Sequence, residues 1–570
     1  MDTMDKRPSK RNKVYDLFLA TWNTLSLFRS GALKQLKSEL LKYNIAIAAL
    51  QEIRWKGDGI MDSGDFTLCY SGGKYNHFGT GFLINKKYKD TIMGFEAIDE
   101  RMCTLRVRGR FNNTTILNVH APTEEKEDEI KDEFYEKISK IYDKIPKNDT
   151  KVVLGDWNAK IGKEGEYKPT IGNHSLHTES NNNGIRAIDV AMSNNMTIKS
   201  TYFPHKLIHK VTWQSPDGKT KNQIDHVMVD KRHSSTIMDV RSYRGADCDS
   251  DHFLVRVKFR QKIVRQKNIP RSRQRKYDVG KLKDEETALV YRENMNTRMG
   301  GCSAVNPEGS EEKWRKLKEA IKTCTEEVIG FETKKERSEW YDEECNIKIQ
   351  ERNRARQKML DRETRSNVED YKKKRKETKK CCRMKKRAYD LNIIECIEEA
   401  NKNHNAREFY KGIKRFKNGV QPRTIMCKDK QDNIIGNDTQ VINRWKEYYE
   451  ELLNNNINIE NSNGEIQIIH RNGEQKEQEV ELSTEMPAPT KEEVFEAIKE
   501  LKNNKAPGED SINAEMIKFG GKKLWNHIYE LIEIIWNTEE MPIEWQRAII
   551  CPIYKKGDKL QCCNYRGISL

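Results

Sequence analysis

The sequence predicts an α/β domain over residues 14–260, followed by a long helical region. Up to Arg260, short apolar runs alternate with helical patterns and turn residues, an arrangement typical of α/β domains. After Arg260 the chain becomes charged and low in glycine and proline. Its length, 570 residues, would allow about three or four domains of ordinary size.

The elements of the first domain follow from these patterns. The apolar runs predict strands at 17–20, 45–50, 81–84, 115–119, 152–154 and 254–259. One helix is predicted after Ser30, a suitable N-cap, with a leucine stripe that includes Leu36 and Leu40. A second helix is predicted from Thr123, because acidic residues favour the first turns of a helix.

The remainder of the chain predicts two further regions. Residues 261–489 read as a basic, mostly helical connector that contains an asparagine-rich spacer at 454–464. A new ordered unit is predicted over residues 490–570, because Thr490 and Glu493 have the spacing of a capping box.

Composition narrows the class of protein. The 104 Lys and Arg residues exceed the 88 Asp and Glu residues, which gives a net charge of +16 and favours a polyanionic partner. No run of about 18 apolar residues occurs, so no membrane span is predicted. The charged N-terminus argues against a secretory signal. The 13 cysteines form no CxxC pair, so neither disulfides nor a zinc site are expected, and a reducing intracellular compartment fits best.

The positive charge is concentrated in two regions. Residues 1–260 carry a net charge of +8, and residues 351–390 alone carry +10. Such basic runs are most often solvated helix faces, and less often nucleic-acid contacts or nuclear localisation signals.

Polar residues follow the predicted strands at several points. They are Asn23, Glu52, His120, Asp156 with Asn158, Asp225, and Asp251 with His252. Side chains at strand ends can converge on one rim of a sheet, where α/β folds place their sites. Each residue alone has a structural alternative, such as a turn former or a buried histidine, but the joint pattern favours a site.

The residue types indicate the reaction. Glu52, Asp156 and Asp251 offer hard oxygen ligands suited to Mg²⁺ or Mn²⁺. Asp225 can orient the imidazole of His252. Such a set suits hydrolysis of a phosphate ester by activated water. The sequence lacks the signatures of phosphate-loop NTPases, serine hydrolases and zinc proteases.

The order of these residues resembles the endonuclease/exonuclease/phosphatase superfamily, which includes apurinic endonucleases, DNase I-like nucleases and inositol polyphosphate 5-phosphatases. The resemblance covers about residues 14–260. It implies a sandwich of two mixed sheets flanked by helices, and divalent-metal-dependent cleavage of phosphate esters. It also implies that Asn23 and Glu52 form a metal-site pair, with Asp251 as an acidic neighbour near the metal.

The same resemblance implies roles for the other residues. Asp156 would position or deprotonate the attacking water, Asn158 would help to hold the phosphate, and Asp225 would orient the catalytic His252. His120 stands where many family nucleases have a phosphate-contacting tyrosine. Leu25 stands where apurinic endonucleases have an aspartate, which weakens the prediction of abasic-site repair.

The resemblance also implies that target recognition lies in loops over the DNA minor groove. Arg186, Thr212 and Trp213 are the candidate nucleic-acid-binding residues there. For Arg186 an ordinary salt bridge is an equal alternative.

The last 70 residues resemble the opening blocks of non-LTR retrotransposon reverse transcriptases, at 501–510, 545–558 and 564–570. With the nuclease-like domain and the basic connector, they resemble a LINE open reading frame. The block at 212–218 is most similar to the RTE/BovB group and to genes labelled craniofacial development protein 2-like. An incomplete α+β fingers segment is expected, without the paired palm carboxylates that polymerases need and therefore without polymerase activity.

The leading hypothesis is a DNA endonuclease that depends on Mg²⁺ or Mn²⁺ and leaves a 3′-OH, located in the nucleus with passage through the cytoplasm. RNA is a further candidate ligand of residues 351–390, and no membrane partner is expected. Two alternatives remain: a phosphatase of inositol phosphates or other small phosphoesters, and a non-enzymatic nucleic-acid-binding remnant.

Overall fold

The chain forms two compact units. The computed structural model describes residues 17–261, 275–300, 309–332, 340–418, 425–454, 457–460, 466–469 and 487–569. The first unit comprises the described parts of Met1–Asn268 and Arg337–Arg444, and the second comprises those of Ile269–Glu336 and Trp445–Leu570.

The first unit contains two large sheets and three helices before residue 261. The strands are β1 (Leu17–Asn23), β2 (Ile47–Gln51), β3 (Asp58–Ser63), β4 (Phe66–Ser71), β5 (Thr80–Asn85), β6 (Ile92–Ala97), β7 (Met102–Val107), β8 (Thr114–His120), β9 (Thr150–Asp156), β10 (Met196–Ile198), β11 (Trp213–Gln214), β12 (Lys221–Asn222), β13 (Asp225–Asp230), β14 (Ile237–Tyr243) and β15 (Leu254–Phe259). The helices are α1 (Ala32–Lys42), α2 (Asp128–Lys144) and α3 (Asn182–Ser193).

The sheets are mixed and lie face to face. The seven-stranded sheet has the order β14-β15-β1-β2-β5-β4-β3, and the six-stranded sheet has the order β10-β13-β9-β8-β7-β6. β1 runs parallel to β2, and β8 runs parallel to β9, whereas the other pairs in these sheets are antiparallel. This architecture confirms the predicted two-sheet sandwich flanked by helices.

Alternation along each strand builds two cores. Ala20 and Trp22 of β1 pack with Leu36 and Leu40 of α1 on the outer face of the first sheet. By strand alternation, the buried side chains of Leu19 and Thr21 point the other way, toward the second sheet. β1 is buried on both faces and is therefore almost continuously apolar, as strands covered on both faces are. α2 and α3 cover the outer face of the second sheet.

A buried polar link joins the two sheets. The Nε2 amide of Gln51 donates to Oδ1 of Asn118 at 2.6 Å, and the Asn118 amide donates to the carbonyls of Leu50 and Gly81, each at 2.9 Å. Gln51 and Asn118 are both fully buried. Because buried amides are costly unless they are paired, these bonds fix the register of one sheet against the other.

The predicted start of the second helix was wrong by five residues. α2 begins at Asp128 rather than Thr123. The Glu124 carboxylate instead accepts hydrogen bonds from the backbone N–H groups of Asn182 and Asn183, each at 3.1 Å. These are the exposed donors at the start of α3, so this tertiary capping role keeps residues 123–127 out of the helix.

The described helices after residue 261 are α4 (Glu285–Gly300), α5 (Ser310–Val328), α6 (Glu343–Asp361), α7 (Arg365–Lys402), α8 (Ala406–Asn418), α9 (Asp438–Asn454), α10 (Lys491–Glu500), α11 (Ala514–Phe519) and α12 (Gly521–Thr538). Three small hairpins are formed by β16 (Cys427–Lys428) with β17 (Ile434–Ile435), β18 (Ile457–Glu460) with β19 (Ile466–Ile469), and β20 (Ile550–Tyr554) with β21 (Tyr565–Ser569). The predicted capping box of Thr490 and Glu493 at the start of α10 is confirmed.

Two predictions from composition can be compared with the described residues. Within these ranges, no helix combines the length and the apolar character that a membrane span requires. The cysteines of the described segments carry free thiols.

The helical pair α6–α7 packs on the loop that leads from β14 to β15. Asp247 in this loop is buried, and its carboxylate lies 3.0 Å from Nη1 of Arg356 and 3.3 Å from Nε of Arg352, both on α6. The Tyr371 hydroxyl of α7 donates to the same carboxylate at 3.3 Å. Part of the predicted connector is therefore attached to a loop of the first domain.

Candidate functional site

Strand direction brings the predicted polar residues to one rim of the sandwich. Because β1 is parallel to β2, Asn23 lies opposite Gln51, the residue before Glu52. β8 is parallel to β9, which places His120 opposite Asp156. β13 is antiparallel to β9, so its first residue, Asp225, also lies opposite Asp156. The ends of both sheets therefore contribute to one cluster.

Asn23 connects the two carboxylates at the centre of this cluster. Its Nδ2 amide donates to Oε1 of Glu52 and to Oδ2 of Asp156, each at 3.0 Å. The second oxygen of Glu52 accepts from Nη2 of Arg54 at 2.6 Å. Glu52 has a φ of 53°, in the left-handed region that a non-glycine residue enters at a cost. Such backbone strain is typical of functional sites.

His252 lies between two buried aspartates. Its Nδ1 atom is 3.0 Å from Oδ2 of Asp225, and its Nε2 atom is 3.7 Å from Oδ2 of Asp156. Burial would lower the pKa of His252, but the charges of Asp225 and Asp156 outweigh burial and raise this pKa to about 10. His252 is therefore an imidazolium at neutral pH.

Burial acts on Asp156 in the opposite sense. It raises the pKa of the Asp156 carboxyl above its ordinary value, while His252 lowers this pKa in part. A carboxylate with a raised pKa is a better proton acceptor near neutral pH than an exposed one.

His120 stands on the other side of the acidic pair. Its Nε2 atom lies 4.0 Å from Oε1 of Glu52 and 3.9 Å from Oδ2 of Asp156. Burial lowers the pKa of His120 to about 4, so the ring is neutral at pH 7. Its Nδ1 atom is buried and has no hydrogen-bond partner among the residues that the structure describes. The edge of the site thus contains a neutral imidazole that can form a further hydrogen bond.

Asn158 and Asp251 lie beside the cluster, and hydrogen bonds hold each of them in place. The backbone N–H of Asn158 donates to Oδ1 of Asp156 at 3.1 Å, and its side-chain amide donates to the Ala121 carbonyl at 2.9 Å. Asp251 accepts from the indole Nε1 of Trp213 at 3.0 Å.

The neighbouring Ser250 ties the Asp251 loop to β1. Its hydroxyl donates to the Asn23 carbonyl at 2.6 Å and accepts from the His252 N–H at 3.1 Å. The loop that carries Asp251 and His252 is therefore fixed directly to the strand that carries Asn23.

The predicted nucleic-acid-binding residues have different surroundings. Thr212 is buried, and its hydroxyl oxygen accepts from the N–H groups of Ile224 and Asp225 at 3.0 and 3.1 Å. It therefore holds the start of β13. Arg186 forms ion pairs with Asp128 and Asp132 of α2. Trp213 is half-buried and contacts Asp251, as described above.

Arg101 is a site neighbour that sequence reasoning missed. Its Nη1 atom donates to the His120 carbonyl at 3.1 Å, and its guanidinium lies over the Phe78 ring, 4.1 Å from the ring centroid. Burial lowers its pKa, and the charges of Glu100 and Asp99, followed by those of Asp156 and Glu52, oppose that effect. It brings positive charge to the acidic cluster. No motif or spacing in the sequence marks it, because the contact is made by the loop before β7.

Oxygen donors near Asn23 fit a hard divalent cation better than the nearby histidine cluster does. One atom from each of Asp156, Asp225 and His252 lies within 4.8 Å of the others, so by distance these residues could hold a metal. However, Nδ1 of His252 and Oδ2 of Asp225 are already paired with each other at 3.0 Å. Glu52, whose carboxylate is held by the Asn23 amide, supplies a hard oxygen ligand outside that cluster.

Comparison with known proteins agrees with this geometry. Residues 20–252 match the sequence model of the Endonuclease/Exonuclease/phosphatase family. The two mixed sheets with flanking helices have the fold of that family.

Two proteins with the name craniofacial development protein 2 are similar to part of the chain. The one from Tragulus javanicus is 34% identical over 255 residues, which are 45% of this chain and 43% of that protein. The one from Bos taurus is 33% identical over 280 residues, or 48% of this chain and 46% of that protein. The matched segment thus spans less than half the length of these relatives.

Several solved structures are also similar to the chain. They include the 3′-5′ exonuclease NExo from Neisseria meningitidis (19% identity, TM-score 0.32, covering 43% of this chain and 99% of that one). The Xenopus laevis APE2 catalytic domain has 15% identity and a TM-score of 0.35, covering 45% and 95%. The endonuclease domain of TRAS1, a telomere-specific non-LTR retrotransposon, has 14% identity and a TM-score of 0.31, covering 43% and 98%.

Proposed function

We propose that the first domain is a Mg²⁺-dependent endonuclease that nicks a phosphodiester of DNA and leaves a 3′-OH. The observation that carries this proposal is the line of buried groups from Asp225 through His252 to Asp156, with Glu52 held beside it by Asn23. A buried imidazolium beside two carboxylates can stabilise a phosphate anion, and a carboxylate of raised pKa can accept a proton from water.

Each side chain then has a defined task. Asp156 aligns the attacking water and accepts its proton, and the Asn158 amide helps to hold the phosphate. The phosphorus–O3′ bond breaks as the water oxygen bonds to phosphorus, and the leaving 3′ oxygen takes a proton from solvent. His252 donates a hydrogen bond from Nε2 to the charge that develops on the phosphate, while Asp225 keeps the ring protonated and oriented. The neutral His120 ring donates a further hydrogen bond to the phosphate.

The divalent cation would be held by oxygens of Glu52, with Asn23 and Asp251 nearby; Mn²⁺ could replace Mg²⁺ because both prefer oxygen ligands. When bound, such a cation polarises the phosphate oxygen and stabilises negative charge.

The proposal extends to the origin of the chain. A nuclease domain at 14–260, a basic connector at 261–489 and a reverse-transcriptase-like start at 490–570 together suggest descent from a LINE retrotransposon. The likeness of the C-terminal blocks to reverse transcriptases supports this origin. In the structure, Asp510 and Asp558 accept backbone bonds from Ile512 and Leu560, as turn residues do. We expect no polymerase activity from this chain.

The direct test is nicking of supercoiled plasmid by the purified chain with Mg²⁺, with EDTA as the metal-free arm. We expect Asp156→Asn and His252→Ala each to slow nicking by about 10²–10³-fold. His205→Ala is the matched control, because His205 also pairs with an aspartate, Asp239 at 2.6 Å, but lies outside the cluster. Equal nicking by the parent and both site variants would refute the assignment.

The same assay separates the alternatives. Phosphate release from a soluble monoester without plasmid nicking would indicate a phosphatase of inositol phosphates or other small phosphoesters. DNA binding without nicking, at every divalent ion tested, would indicate an inactive nucleic-acid-binding remnant.

A nuclear location follows from a DNA substrate, and the basic run at 372–376 is the candidate targeting signal. A fluorescent fusion that stays in the cytoplasm would refute it. RNA is a further candidate ligand of residues 351–390, because this segment alone carries a net charge of +10.

A further inference from the structure

A basic cavity lies where α1, α6 and α7 meet the loop before Asp251. Its volume is about 400 Å³, and all of the segments around it belong to the first unit. Six basic side chains line it: Arg29, Arg352, Arg375, Lys379, Arg383 and Lys386. Among the described residues of the lining there is a single carboxylate, that of Asp249.

The nearby acidic residues do not balance this charge. Asp249 alone is shared by three cations, Arg29, Arg375 and Lys379. Asp247, buried beneath, is shared by Arg352 and Arg356. Asp249 and Asp247 together therefore form ion pairs with five cations, and the buried Glu39 carboxyl adds one further acidic group near Arg352 and Arg356. Concentrated excess charge of one sign in a concave site attracts ligands of the opposite sign.

Two further cations at the mouth of the cavity have no acidic partner among the described residues. Arg383 and Lys386 are exposed on α7, three residues apart and hence on one face of the helix. Neither forms an ion pair within the described ranges, although nearby Lys385 pairs with Asp342 and Glu344. Their charge is therefore available to a ligand.

The start of α1 adds to the positive potential. Its N-cap is Gly31, which has a φ of 82° and no side chain to cap the helix, and the first turn contains no acidic residue. The first N–H groups of the helix and its dipole favour an anion at this end. Ser30, Gly31 and Ala32 line the cavity, so this end of the helix faces it.

The cavity shares its walls with the catalytic loops. Arg29 donates from Nη2 to the carbonyl of Thr24, the residue after Asn23, at 3.3 Å. On the other wall, Asp249 is followed by Ser250, whose hydroxyl donates to the Asn23 carbonyl at 2.6 Å. A DNA strand bound at Asp156 and His252 would leave the site past these two loops.

We infer that this cavity binds the phosphodiester backbone of the DNA substrate next to the cleaved bond, with Arg383 and Lys386 as contact residues. The inference rests on the proposed nuclease function for the identity of the strand. It gives the α6–α7 pair a role in substrate binding.

The test measures binding separately from cleavage. Fluorescence anisotropy with a labelled DNA duplex in EDTA gives the affinity of the full chain, and a salt titration gives the number of phosphate contacts. We expect Arg383→Ala/Lys386→Ala to weaken binding about tenfold at low salt and to reduce the salt slope by about 2, since each lost phosphate contact removes about 0.9 from it.

The matched control is Lys380→Ala/Arg387→Ala. It removes one lysine and one arginine from the same helix, and both residues are exposed and lie outside the cavity lining. We expect it to keep most of the parent affinity. Equal losses in the two double variants, or no loss in the cavity variant, would overturn the inference. So would a loss confined to a labelled RNA of the same length.

Plasmid nicking by the same proteins separates this inference from the proposed function. If the parent does not nick but the cavity variant alone loses DNA affinity, the nuclease proposal fails and the binding site stands. If the parent nicks and the cavity variant binds normally, the binding site fails and the nuclease proposal stands.

Discussion

The Nδ1 atom of His252 lies 3.0 Å from Oδ2 of Asp225, and both residues are buried. The pair joins the end of one sheet to the other, because His252 precedes β15 of the first sheet and Asp225 begins β13 of the second. Its geometry explains why a buried imidazole stays charged: burial alone would lower the pKa, and the carboxylates raise it to about 10.

Replacing Asp225 by asparagine tests this relationship. The variant loses the charge that keeps His252 protonated, so the pKa of His252 falls and less imidazolium remains near neutral pH. We expect nicking to slow by about 10²-fold and its alkaline limb to move to lower pH. The measurement is the nicking rate between pH 6 and 10.

Non-additivity provides the control for Asp225→Asn. If Asp225 acts through His252, the double variant Asp225→Asn/His252→Ala should nick about as slowly as His252→Ala alone. Multiplied losses would show that the two residues act independently.

Asp247 makes the first domain depend on α6. Burial would raise the pKa of its carboxyl, but Arg356 and Arg352 outweigh burial and hold the pKa below its ordinary value. Asp247→Asn leaves two arginines facing a neutral amide, and we expect a loss of about 3–5 kcal/mol in the free energy of unfolding. Urea denaturation at pH 7 measures it, and Glu369→Gln, in an exposed helical ion pair, is the control.

The pH dependence of this effect has a definite sign. A folded-state pKa below the unfolded value means that the stabilisation is present above the unfolded pKa and is lost as pH falls through the folded one. The difference in stability between the parent and Asp247→Asn should therefore be full at pH 7 and shrink below about pH 4. A difference that is constant down to pH 3 would contradict the assignment.

His226 should lower the stability of the fold at mildly acidic pH, above the range in which Asp247 acts. Its Nδ1 atom lies 2.8 Å from the Ser200 hydroxyl and its Nε2 atom 2.9 Å from the Ala159 carbonyl, and burial lowers its pKa to about 4. Between pH 6.5 and 4 the unfolded chain binds a proton that the folded chain does not. The free energy of unfolding therefore decreases as the pH is lowered from 6.5 to 4. We expect a smaller fall for His226→Gln, measured by thermal melting at pH 7 and 5.

The hydrogen bonds of Gln51 and Asn118 between the two sheets should contribute to the stability of the sandwich that carries the site. Asn118→Ala removes one of the two acceptors of the Gln51 amide, which keeps its bond to the Thr21 hydroxyl, and it removes the buried donor to the carbonyls of Leu50 and Gly81. We expect a loss of about 1–3 kcal/mol in the free energy of unfolding. Thr67→Ala is a comparison in a buried strand position that lacks an inter-sheet bond. An unchanged midpoint for Asn118→Ala would show that the link contributes nothing.

The local parts of the fold were predictable from sequence because they depend on local patterns. β1 and β15 follow from apolar runs, α10 from its capping box, and the site residues from their positions just after strands. The start of α2 was not predictable, because Glu124 caps α3, a helix almost 60 residues further on.

The other features that could not be predicted from sequence depend on contacts between residues far apart in the chain. Asn118 is a single polar residue inside an apolar strand, which is a signal, but its partner Gln51 is 67 residues away. Arg352 and Arg356 lie in a highly charged segment whose pattern predicts a solvent-exposed helix. No local feature of the sequence shows that both are buried against Asp247.

The chemical nature of the nick tests the central claim most directly. Supercoiled plasmid cut by the parent chain with Mg²⁺ is given to a DNA polymerase and labelled nucleotides, without any other treatment. A nick with a 3′-OH is extended at once, so we expect label to enter the parent reaction and to be absent with Asp156→Asn. Nicks that accept label only after a phosphatase treatment, or equal labelling with Asp156→Asn, would contradict the account.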